Sequence, residues 1–371
     1  MNRRRRIFGA LAALMVAAAV ALALLLSHDS ACTPATPLPA GTTPMKAIVY
    51  RCYGAPAVLR VEDVAKLQPA DDQVLVKVRA AALNPLDWHY LRGQPYVMRL
   101  SSGLGRPTDP RLGVDFAGTV EAVGRSVQRF KPGDEVFGGA NGALGEYILV
   151  RENRAIALKP PNVGFDEAAA VPIAAITALQ ALRDKARLKP GQRVLVNGAS
   201  GGVGIFAVQI AKAMGAQVTG VSSTRNLALV QALGADQVID YTRQDFTRSE
   251  MRYDVIVDNV GNHPLLAYRR VLRDTGVVEM IGGPSEDPWL GPLGRVLGAG
   301  LLSPFVKPRF EMLLADMNPS DLETLRGMMA AGTLRSVIDR RYSLADTAAA
   351  IAYLETGRAR GKVIIEVAGP Q

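Results

Sequence analysis

The chain has 371 residues, of which 49% are hydrophobic and 21% charged, a composition typical of a globular protein with room for two domains. Its formal net charge is +9, but four cations are clustered at positions 3 to 6 and the others are mixed with acidic residues. Without a basic and aromatic stripe, nucleic acid is excluded as the expected partner. Two cysteines, Cys32 and Cys52, and three histidines without paired spacing supply no metal cluster and imply no disulfide framework.

Residues 1–44, here called the leader, differ in composition from the rest of the chain. Four arginines precede an uncharged run rich in Ala, Leu and Val over 7–26, and a stretch rich in Ser, Thr and Pro follows over 30–44. The run is long enough to cross a hydrocarbon core of ~30 Å as a helix. The arginine pair before it also resembles a twin-arginine signal, which exports folded proteins. We therefore expect a membrane anchor at 7–26 or twin-arginine export; the alternative is a cytoplasmic protein whose translation begins at Met45.

After the leader, short strand patterns separated by turns such as 131–134 favour a small, distorted antiparallel barrel. These predicted strands are 46–50, 73–82, 117–123 and 147–150. After Pro172 the pattern changes to buried strands alternating with helices, which favours parallel βαβ units. The strands predicted there are 193–197, 217–221, 237–239, 255–258 and 277–281.

The last part of the chain is predicted to return to the barrel. It contains a further strand after Leu334, a helix near 345–356 and a terminal strand at 362–367. The expected organisation is therefore a leader, a first barrel segment, an inserted α/β domain and a barrel return, at 1–44, 45–172, 173–333 and 334–371.

A glycine-rich turn is the strongest chemical signal. Asn197-Gly198-Ala199-Ser200-Gly201-Gly202-Val203-Gly204 lies between a buried strand and an amphipathic helix. Such a turn lets backbone N–H groups and the helix dipole meet a pyrophosphate. Ala199 stands where the usual fingerprint has its first glycine, which relaxes the pattern without abolishing it.

The end of the second strand of this unit indicates which dinucleotide binds. An acid there would bind the ribose 2′-hydroxyl and repel a 2′-phosphate, but the chain has Ser222, Ser223, Thr224 and Arg225. Hydroxyls and a cation suit a dianionic phosphate. The sequence therefore predicts NADPH rather than NADH.

Together these features resemble the zinc-independent quinone oxidoreductase and enoyl reductase branch of the medium-chain dehydrogenase/reductase superfamily, over everything from Met45 onward. Besides the glycine turn, the resemblance rests on Asn-Pro-Leu-Asp at 84–87, Gly-Val-Asp-Phe-Ala-Gly at 113–118, Phe-Lys-Pro-Gly-Asp-Glu-Val at 130–136, Ala-Ala-Ala-Val-Pro at 168–172 and Gly-Arg-Ala-Arg-Gly-Lys-Val at 357–363. It implies an α/β fold, in which a Rossmann-type doubly wound parallel sheet is inserted in a GroES-like distorted β-barrel, the catalytic domain. One N-terminal hydrophobic helix would precede them.

The resemblance also implies a site without metal. Zinc-using relatives carry a His-Glu pair where this chain has Val114-Asp115, and they carry a cysteine ligand, whereas no cysteine follows Tyr53 here. Valine cannot bind zinc.

By the same resemblance, Asn84 is expected at the nicotinamide ribose and Thr177 at the nicotinamide side. The remaining cofactor-binding residues that it implies are Ser200, Gly201, Gly202 and Val203 with Gly204 at the diphosphate, Ser222 and Arg225 at the 2′-phosphate, Tyr241 at the adenosine end, and Asn259, Val260, Gly261, Ile281, Gly282 and Gly283 around the nicotinamide. Branch members often have a tyrosine five residues after the asparagine, and this chain has His89 there with Tyr90 next. Either residue could face the substrate, so the candidate catalytic residues are Asn84, His89 and Tyr90.

The expected function is metal-free hydride transfer from NADPH to a quinone or an α,β-unsaturated carbonyl compound, in a homodimer. An alternative is a nucleotide-bound structural or assembly protein at the membrane with a vestigial reductase site; a third is a zinc alcohol dehydrogenase. The apolar segment 289–305 would be a partner or membrane surface under the second reading. Under the first it would be a helix beside the cleft and the subunit interface.

Overall fold

A computed structural model describes residues 2–283, 287–291, 293–302 and 307–367. The helices are α1 (Asn2–Ser27), α2 (Pro85–Arg92), α3 (Arg99–Ser102), α4 (Phe165–Ala169), α5 (Pro172–Gln180), α6 (Gly202–Ala213), α7 (Leu227–Ala232), α8 (Leu265–Tyr268), α9 (Leu293–Leu302), α10 (Pro319–Ala330) and α11 (Thr347–Glu355). The strands are β1 (Pro44–Val49), β2 (Arg60–Ala65), β3 (Gln73–Leu83), β4 (Asp115–Val123), β5 (Glu135–Gly139), β6 (Tyr147–Arg151), β7 (Ile156–Leu158), β8 (Arg193–Asn197), β9 (Gln217–Ser222), β10 (Gln237–Asp240), β11 (Tyr253–Asp258), β12 (Leu272–Met280), β13 (Arg309–Met312), β14 (Ile338–Ser343) and β15 (Lys362–Glu366).

The nucleotide domain is built on a six-stranded parallel sheet in the order β10-β9-β8-β11-β12-β13. Its central strands are continuous apolar runs, as parallel strands covered on both faces require; Val194, Leu195 and Val196 are fully buried. The predicted parallel sheet is confirmed. Strand β13 was not predicted, because Arg309 to Met312 alternate charged and apolar residues at the sheet edge and lack the buried-strand pattern.

The catalytic domain contains a seven-stranded sheet in the order β14-β15-β3-β4-β5-β7, with β6 also paired to β3, and a separate β1-β2 hairpin. Strand β15 pairs antiparallel with β3, so that Ile364 lies opposite Ala82. The C-terminal strand thus returns to the first domain, and the predicted fold class is confirmed. The domain limits at 44, 172 and 333 stay predictions.

Small residues let the two domains approach closely. Ala80 and Ala82 of β3, Ala168 to Ala170 of the α4 region and Ile205 of α6 belong to one buried cluster that also contains the central strands of the nucleotide sheet. Small alanine side chains let α4 pack on the catalytic-domain sheet and α5 pack on α6 of the nucleotide domain. This packing brings the start of α6 near the end of β3.

The leader departs from expectation in two respects. Within the described residues, no helix combines the length and the apolar character that a membrane span needs, so the predicted anchor at 7–26 is not supported. In addition, Cys32 and Cys52 form a disulfide, with their Cα atoms 4.6 Å apart. The expectation that the cysteines imply no disulfide was wrong, because the chain between them, which includes β1, returns so that its two ends meet, a tertiary arrangement that the spacing of the cysteines does not reveal.

Candidate active site

The glycine turn joins β8 to the first turn of α6. Gly198 has φ +79°, a conformation that favours glycine, and a Cβ on Gly204 would lie 2.1 Å from the Gly198 carbonyl oxygen. Gly204 therefore allows the helix to pack against the turn. A Cβ on Gly201 or Gly202 would meet no protein atom closer than 3.4 Å, so this side of the helix N-terminus has space for a ligand. The turn thus fits a pyrophosphate.

Asn226, which sequence reasoning missed, connects the glycine turn to the adenosine side. Its side-chain amide donates to Ser200 Oγ at 3.0 Å and to Ser223 Oγ at 3.4 Å, and its Oδ1 atom is buried without a hydrogen-bond partner. A buried acceptor without a partner lowers the stability of the fold unless a ligand or a water molecule donates a hydrogen bond to it. Asn226 stands at the start of α7, four residues after Ser222, and this position next to the predicted 2′-phosphate residues could have identified it as a site residue.

The predicted 2′-phosphate residues lie together at the end of β9. Ser222 is buried, and its carbonyl oxygen accepts from the backbone N–H of Tyr241, whose side chain is 57% exposed. Arg225 is exposed and donates to the Arg358 carbonyl oxygen at 2.8 Å. The arrangement presents a hydroxyl, an aromatic ring and a cation at one edge of the sheet.

An acid also lies near this edge. Thr224 donates to Asp240, the last residue of β10, and this hydrogen bond, together with those from Thr242, holds the pKa of the carboxyl below its usual value. The Asp240 carboxylate thus accepts hydrogen bonds from hydroxyl groups, which reduces its electrostatic repulsion of a nearby phosphate without removing it.

On the opposite side of the turn, the ends of β11 and β12 bring together the residues predicted around the nicotinamide. A Cβ on Gly198 would lie 2.8 Å from Val260, one on Gly282 would lie 2.0 Å from the Asn259 carbonyl oxygen, and one on Gly261 would lie 2.7 Å from Gly283 Cα. The Ile281 backbone N–H donates to the Asp258 carbonyl oxygen at 3.0 Å. These close backbone approaches join 259–261 and 281–283 into one wall.

Asp258 organises this wall. Its buried carboxylate accepts from Asn197 at 2.9 Å, from the Gly261 N–H at 2.9 Å and from the Tyr268 hydroxyl at 2.6 Å. Arg295 of α9 forms an ion pair with it at 2.9 Å. The helical part of the segment 289–305 therefore lies beside the predicted nicotinamide wall; residues 292 and 303–305 of that segment lie outside the described residues.

The floor of the site is a buried polar cluster around Asn84. Its Oδ1 accepts from Lys362 Nζ at 2.5 Å, and its Nδ2 donates to Asp115 at 2.9 Å. The other Asp115 oxygen accepts from the Ile173 N–H at 3.0 Å, in the first turn of α5, where an anion is favourable. Lys362 also lies beside the glycine turn, because the Gly361 N–H donates to the Ser200 carbonyl oxygen at 2.8 Å.

Lys362 was not predicted as a site residue, although it belongs to the closing motif of the sequence. It is 2% exposed and Asp115 is fully buried, at a distance of 3.6 Å. Burial lowers the pKa of Lys362 and raises the pKa of Asp115, and in each case the partner's charge opposes that shift. Asn84 and Asp115 are therefore held by a lysine at the junction of the two domains.

The two other candidate catalytic residues follow Asn84 on α2. The Nδ1–H of His89 donates to the Gln94 carbonyl oxygen at 2.7 Å, since a carbonyl can only accept, and the ring stacks on Trp88. Burial lowers the pKa of His89. Neutral His89 thus presents Nε2 as an acceptor and not as a donor. Tyr90, partly buried against the catalytic-domain core, keeps a hydroxyl that can donate.

Thr177, expected at the nicotinamide side, is buried in α5, where its hydroxyl donates to the Ile173 carbonyl oxygen at 2.6 Å. It therefore lies one helical turn after the residue whose N–H meets Asp115.

The residues at the position of the zinc ligands do not suit a metal. Val114 has no donor atom, Asp115 is engaged by Asn84 and Lys362, and both cysteines are in the disulfide. Over the described ranges, no group of three or more His, Cys, Asp or Glu side chains could hold a metal ion.

Comparison with known proteins places these observations in a family. Residues 70–161 match the family model described as the alcohol dehydrogenase GroES-like domain, and residues 233–365 match the one described as zinc-binding dehydrogenase. A 2-methylene-furan-3-one reductase of Solanum lycopersicum is 37% identical over 86% of this chain and 79% of its own length. An NADPH-dependent alkenal/one oxidoreductase of Arabidopsis thaliana is 34% identical over 86% of this chain and 79% of its own.

The solved structures give the same result. The quinone oxidoreductase from Coxiella burnetii superposes with a TM-score of 0.76 at 31% identity, covering 88% of this chain and all of its own. The family-model matches include the Asn84 segment and the closing β15 motif of the site described above. The chain belongs to the zinc-independent quinone oxidoreductase and enoyl reductase branch of the medium-chain dehydrogenase/reductase superfamily.

Proposed function

We propose that this protein is an NADPH-dependent reductase of quinones or α,β-unsaturated carbonyl compounds. The observation that carries the proposal is the open glycine turn flanked by Ser222 and Arg225 on one side and by the 259–261 and 281–283 wall on the other. Relatives with a reductase name, one of them NADPH-dependent, support it. When bound, NADPH supplies a hydride to an electron-poor carbon.

The protein's own residues bind and orient the cofactor and donate a hydrogen bond to the substrate. Backbone N–H groups at the start of α6 hold the diphosphate, and Asn84 orients the nicotinamide ribose while Lys362 and Asp115 fix the asparagine rotamer. Because Asn84 Oδ1 can accept a second hydrogen bond, a ribose hydroxyl can donate to it.

Negative charge that develops on the substrate oxygen needs a hydrogen-bond donor. Neutral His89 cannot donate through Nε2, because its proton is held on Nδ1 by Gln94. We therefore assign this role to the Tyr90 hydroxyl. His89 then acts by positioning the end of α2.

The first test is NADPH consumption by the purified full chain with a simple quinone and, separately, with an enal. We expect turnover of at least one substrate class. Absence of turnover of both by folded, NADPH-saturated protein would refute the proposal.

The second test concerns the cofactor. Arg225→Asp is expected to weaken NADPH binding about tenfold or more, with NADH binding unchanged, because a charge-assisted contact with the 2′-phosphate is replaced by repulsion. Arg248→Asp is the matched control, since Arg248 is an exposed arginine of the same domain, 79% exposed. Equal effects of the two substitutions on NADPH binding would contradict the assignment.

We further propose that the enzyme works outside the reducing cytoplasm, after export through its twin-arginine-like leader. The Cys32–Cys52 disulfide supports this, because disulfides persist mainly in oxidising compartments. Fractionation of the source cells tests it. Recovery in the cytoplasm with an N-terminus at Met45 would refute export, and recovery with the membranes would instead revive the anchor at 7–26.

We also propose a homodimer. Strand β13 is an edge strand of the nucleotide sheet in the described chain and carries pairing groups that a second copy could use. Sedimentation of the purified protein at its monomer mass would refute the proposal.

A further inference from the structure

The end of the leader is bound to the catalytic domain by a fully buried arginine. Arg99 of α3 is 1% exposed, and its guanidinium donates to the Leu26 carbonyl oxygen at 2.9 Å and to the His28 carbonyl oxygen at 3.0 Å. The same group forms an ion pair with Asp29 at 2.8 Å. A single side chain thus meets three successive parts of the leader.

The rest of the guanidinium is enclosed by the catalytic domain. Its Nε donates to the Gly93 carbonyl oxygen at 2.8 Å, and its Cζ atom lies 4.4 Å from the Tyr53 ring centre and 4.6 Å from that of Tyr96. Cation–π contacts and carbonyl acceptors compensate part of the cost of burying the charge. The carboxylate that pairs with the charge comes from the leader.

Two further contacts fix the chain that follows. The Ser30 N–H donates to the Gly105 carbonyl oxygen at 2.9 Å, and Cys32 is joined to Cys52, which is 4% exposed. Hydrogen bonds, an ion pair and a covalent bond therefore act within a span of seven residues.

We propose that residues 26–32, Arg99 and Cys52 form a leader latch, which attaches the leader to the catalytic domain in a redox-sensitive way. Removal of the chain up to residue 32 would take away the carboxylate of Asp29, the carbonyl oxygens of Leu26 and His28 that Arg99 contacts, and the disulfide, which is destabilising. The leader is therefore retained, uncleaved downstream of residue 25, in the folded protein.

The latch supports the surface that faces the nucleotide domain. The turn Tyr96–Met98 directly precedes Arg99, and the Tyr96 N–H donates to the Pro288 carbonyl oxygen at 2.7 Å while its ring packs edge-on against Trp289. These residues precede α9, whose Arg295 pairs with Asp258 in the predicted nicotinamide wall. Loosening the latch is thus transmitted first to an interdomain contact near the cleft.

Formation of the latch disulfide is a two-electron oxidation. Two thiols lose two protons and two electrons to a low-molecular-weight disulfide such as oxidised glutathione, which is reduced to two thiols. A dithiol reductant reverses the reaction, so the latch can be opened without changing the sequence.

The first experiment is intact-mass analysis of the full chain purified from its source without reductant. We expect a mass that includes Leu26 to Cys32 and that increases by two hydrogen atoms on reduction under denaturing conditions. A mature chain that begins after residue 32, or two free thiols in the oxidised preparation, would overturn the proposal.

The second experiment measures thermal unfolding of the full chain with and without the reductant. We expect oxidised wild type to melt roughly 3–8 °C above reduced wild type, because the disulfide closes a loop and orders the leader. The double variant Cys32→Ser/Cys52→Ser should melt like reduced wild type and should not respond to reductant. Identical melting of oxidised and reduced wild type would refute a stabilising latch.

The third experiment separates Arg99 from a general effect of arginine removal. Arg106→Ala is the control, because Arg106 lies in the same segment but is exposed. Arg99→Ala should increase the rate of limited proteolysis within residues 25–33 at least tenfold. Asp29→Ala removes the exposed partner of the ion pair and should increase this rate to a smaller extent. If Arg99→Ala does not fold, the proteolysis rate of Asp29→Ala tests the ion pair instead. A rate for the tested variant equal to that of Arg106→Ala would overturn the role of the ion pair.

Discussion

Replacing Lys362 by methionine tests whether a buried lysine holds the floor of the site. The substitution keeps most of the side-chain volume but removes the ammonium that contacts Asn84 and lies 3.6 Å from Asp115. With Lys362 only 2% exposed and Asp115 fully buried, the buried carboxylate loses its cationic partner and keeps only the hydrogen bonds from Asn84 and Ile173. Breaking such a pair costs about 3–5 kcal/mol. We therefore expect Lys362→Met to lower the free energy of unfolding by that amount.

The binding of NADPH should change in parallel. Without Lys362, Asn84 loses a partner that fixes its rotamer, and we expect NADPH to bind about tenfold more weakly by fluorescence titration. Lys159→Met is the control, because Lys159 is also nearly buried, 5% exposed, and pairs with Glu135 in the same domain. This variant should lose about 1 kcal/mol of stability and bind NADPH normally.

A second substitution distinguishes a lost ion pair from a lost volume. Lys362→Met combined with Asp115→Asn removes both charges, so the double variant should be more stable than Lys362→Met alone by about 1–3 kcal/mol. The assay is equilibrium unfolding in urea. Strict additivity of the two substitutions, or an unchanged stability of Lys362→Met, would show that the pair does not hold this site together.

Three further outcomes are expected. Burial, with a smaller contribution from Glu311, raises the pKa of Glu279 from its usual 4.5 to about 8; since the folded state then binds the proton more tightly, stability should fall as pH rises from 4.5 to 8, and Glu279→Gln should flatten this dependence in urea unfolding by on the order of a few kcal/mol. Tyr90→Phe should lower kcat with an enal at least tenfold, whereas His89→Gln should change it less than about threefold; the reverse order would return the donor role to the histidine. Gly204→Ala should destabilise the protein by about 2 kcal/mol or more and abolish measurable NADPH binding in titration, because the added methyl group would meet a carbonyl oxygen at 2.1 Å; normal binding would contradict the close packing of α6.

Much of the nucleotide domain could be predicted because its signals are local. A buried strand, a turn that needs glycine at Gly198 and Gly204, and an apolar helix are each specified by neighbouring residues. The second strand ends in Ser222 and Arg225, so the cofactor preference could also be inferred. Strand β13 was not predicted, because an edge strand is only partly covered by other elements and does not need a continuous apolar pattern.

The Asn84 cluster and the latch could not be predicted in the same way. Lys362 is 278 residues from Asn84 in the chain, and nothing in the sequence near either residue indicates that an ammonium and an amide will meet. Similarly, the contacts of Arg99 and Cys52 with the leader exist only in the folded catalytic domain. Sequence alone showed two cysteines without an implied disulfide framework and a basic, apolar leader, which predicted an anchor or an export signal.

The sequence by itself determined the parallel sheet, the nucleotide turn and the family resemblance, since each depends on periodicity or on residues adjacent in the chain. Only the tertiary structure decided that Lys362 completes the site, that neutral His89 presents an acceptor and that the leader is bound to the catalytic domain. The physical reason is burial: a charge removed from water must find its partner wherever the fold places one. The identity of that partner is a property of the packed chain and not of the local sequence.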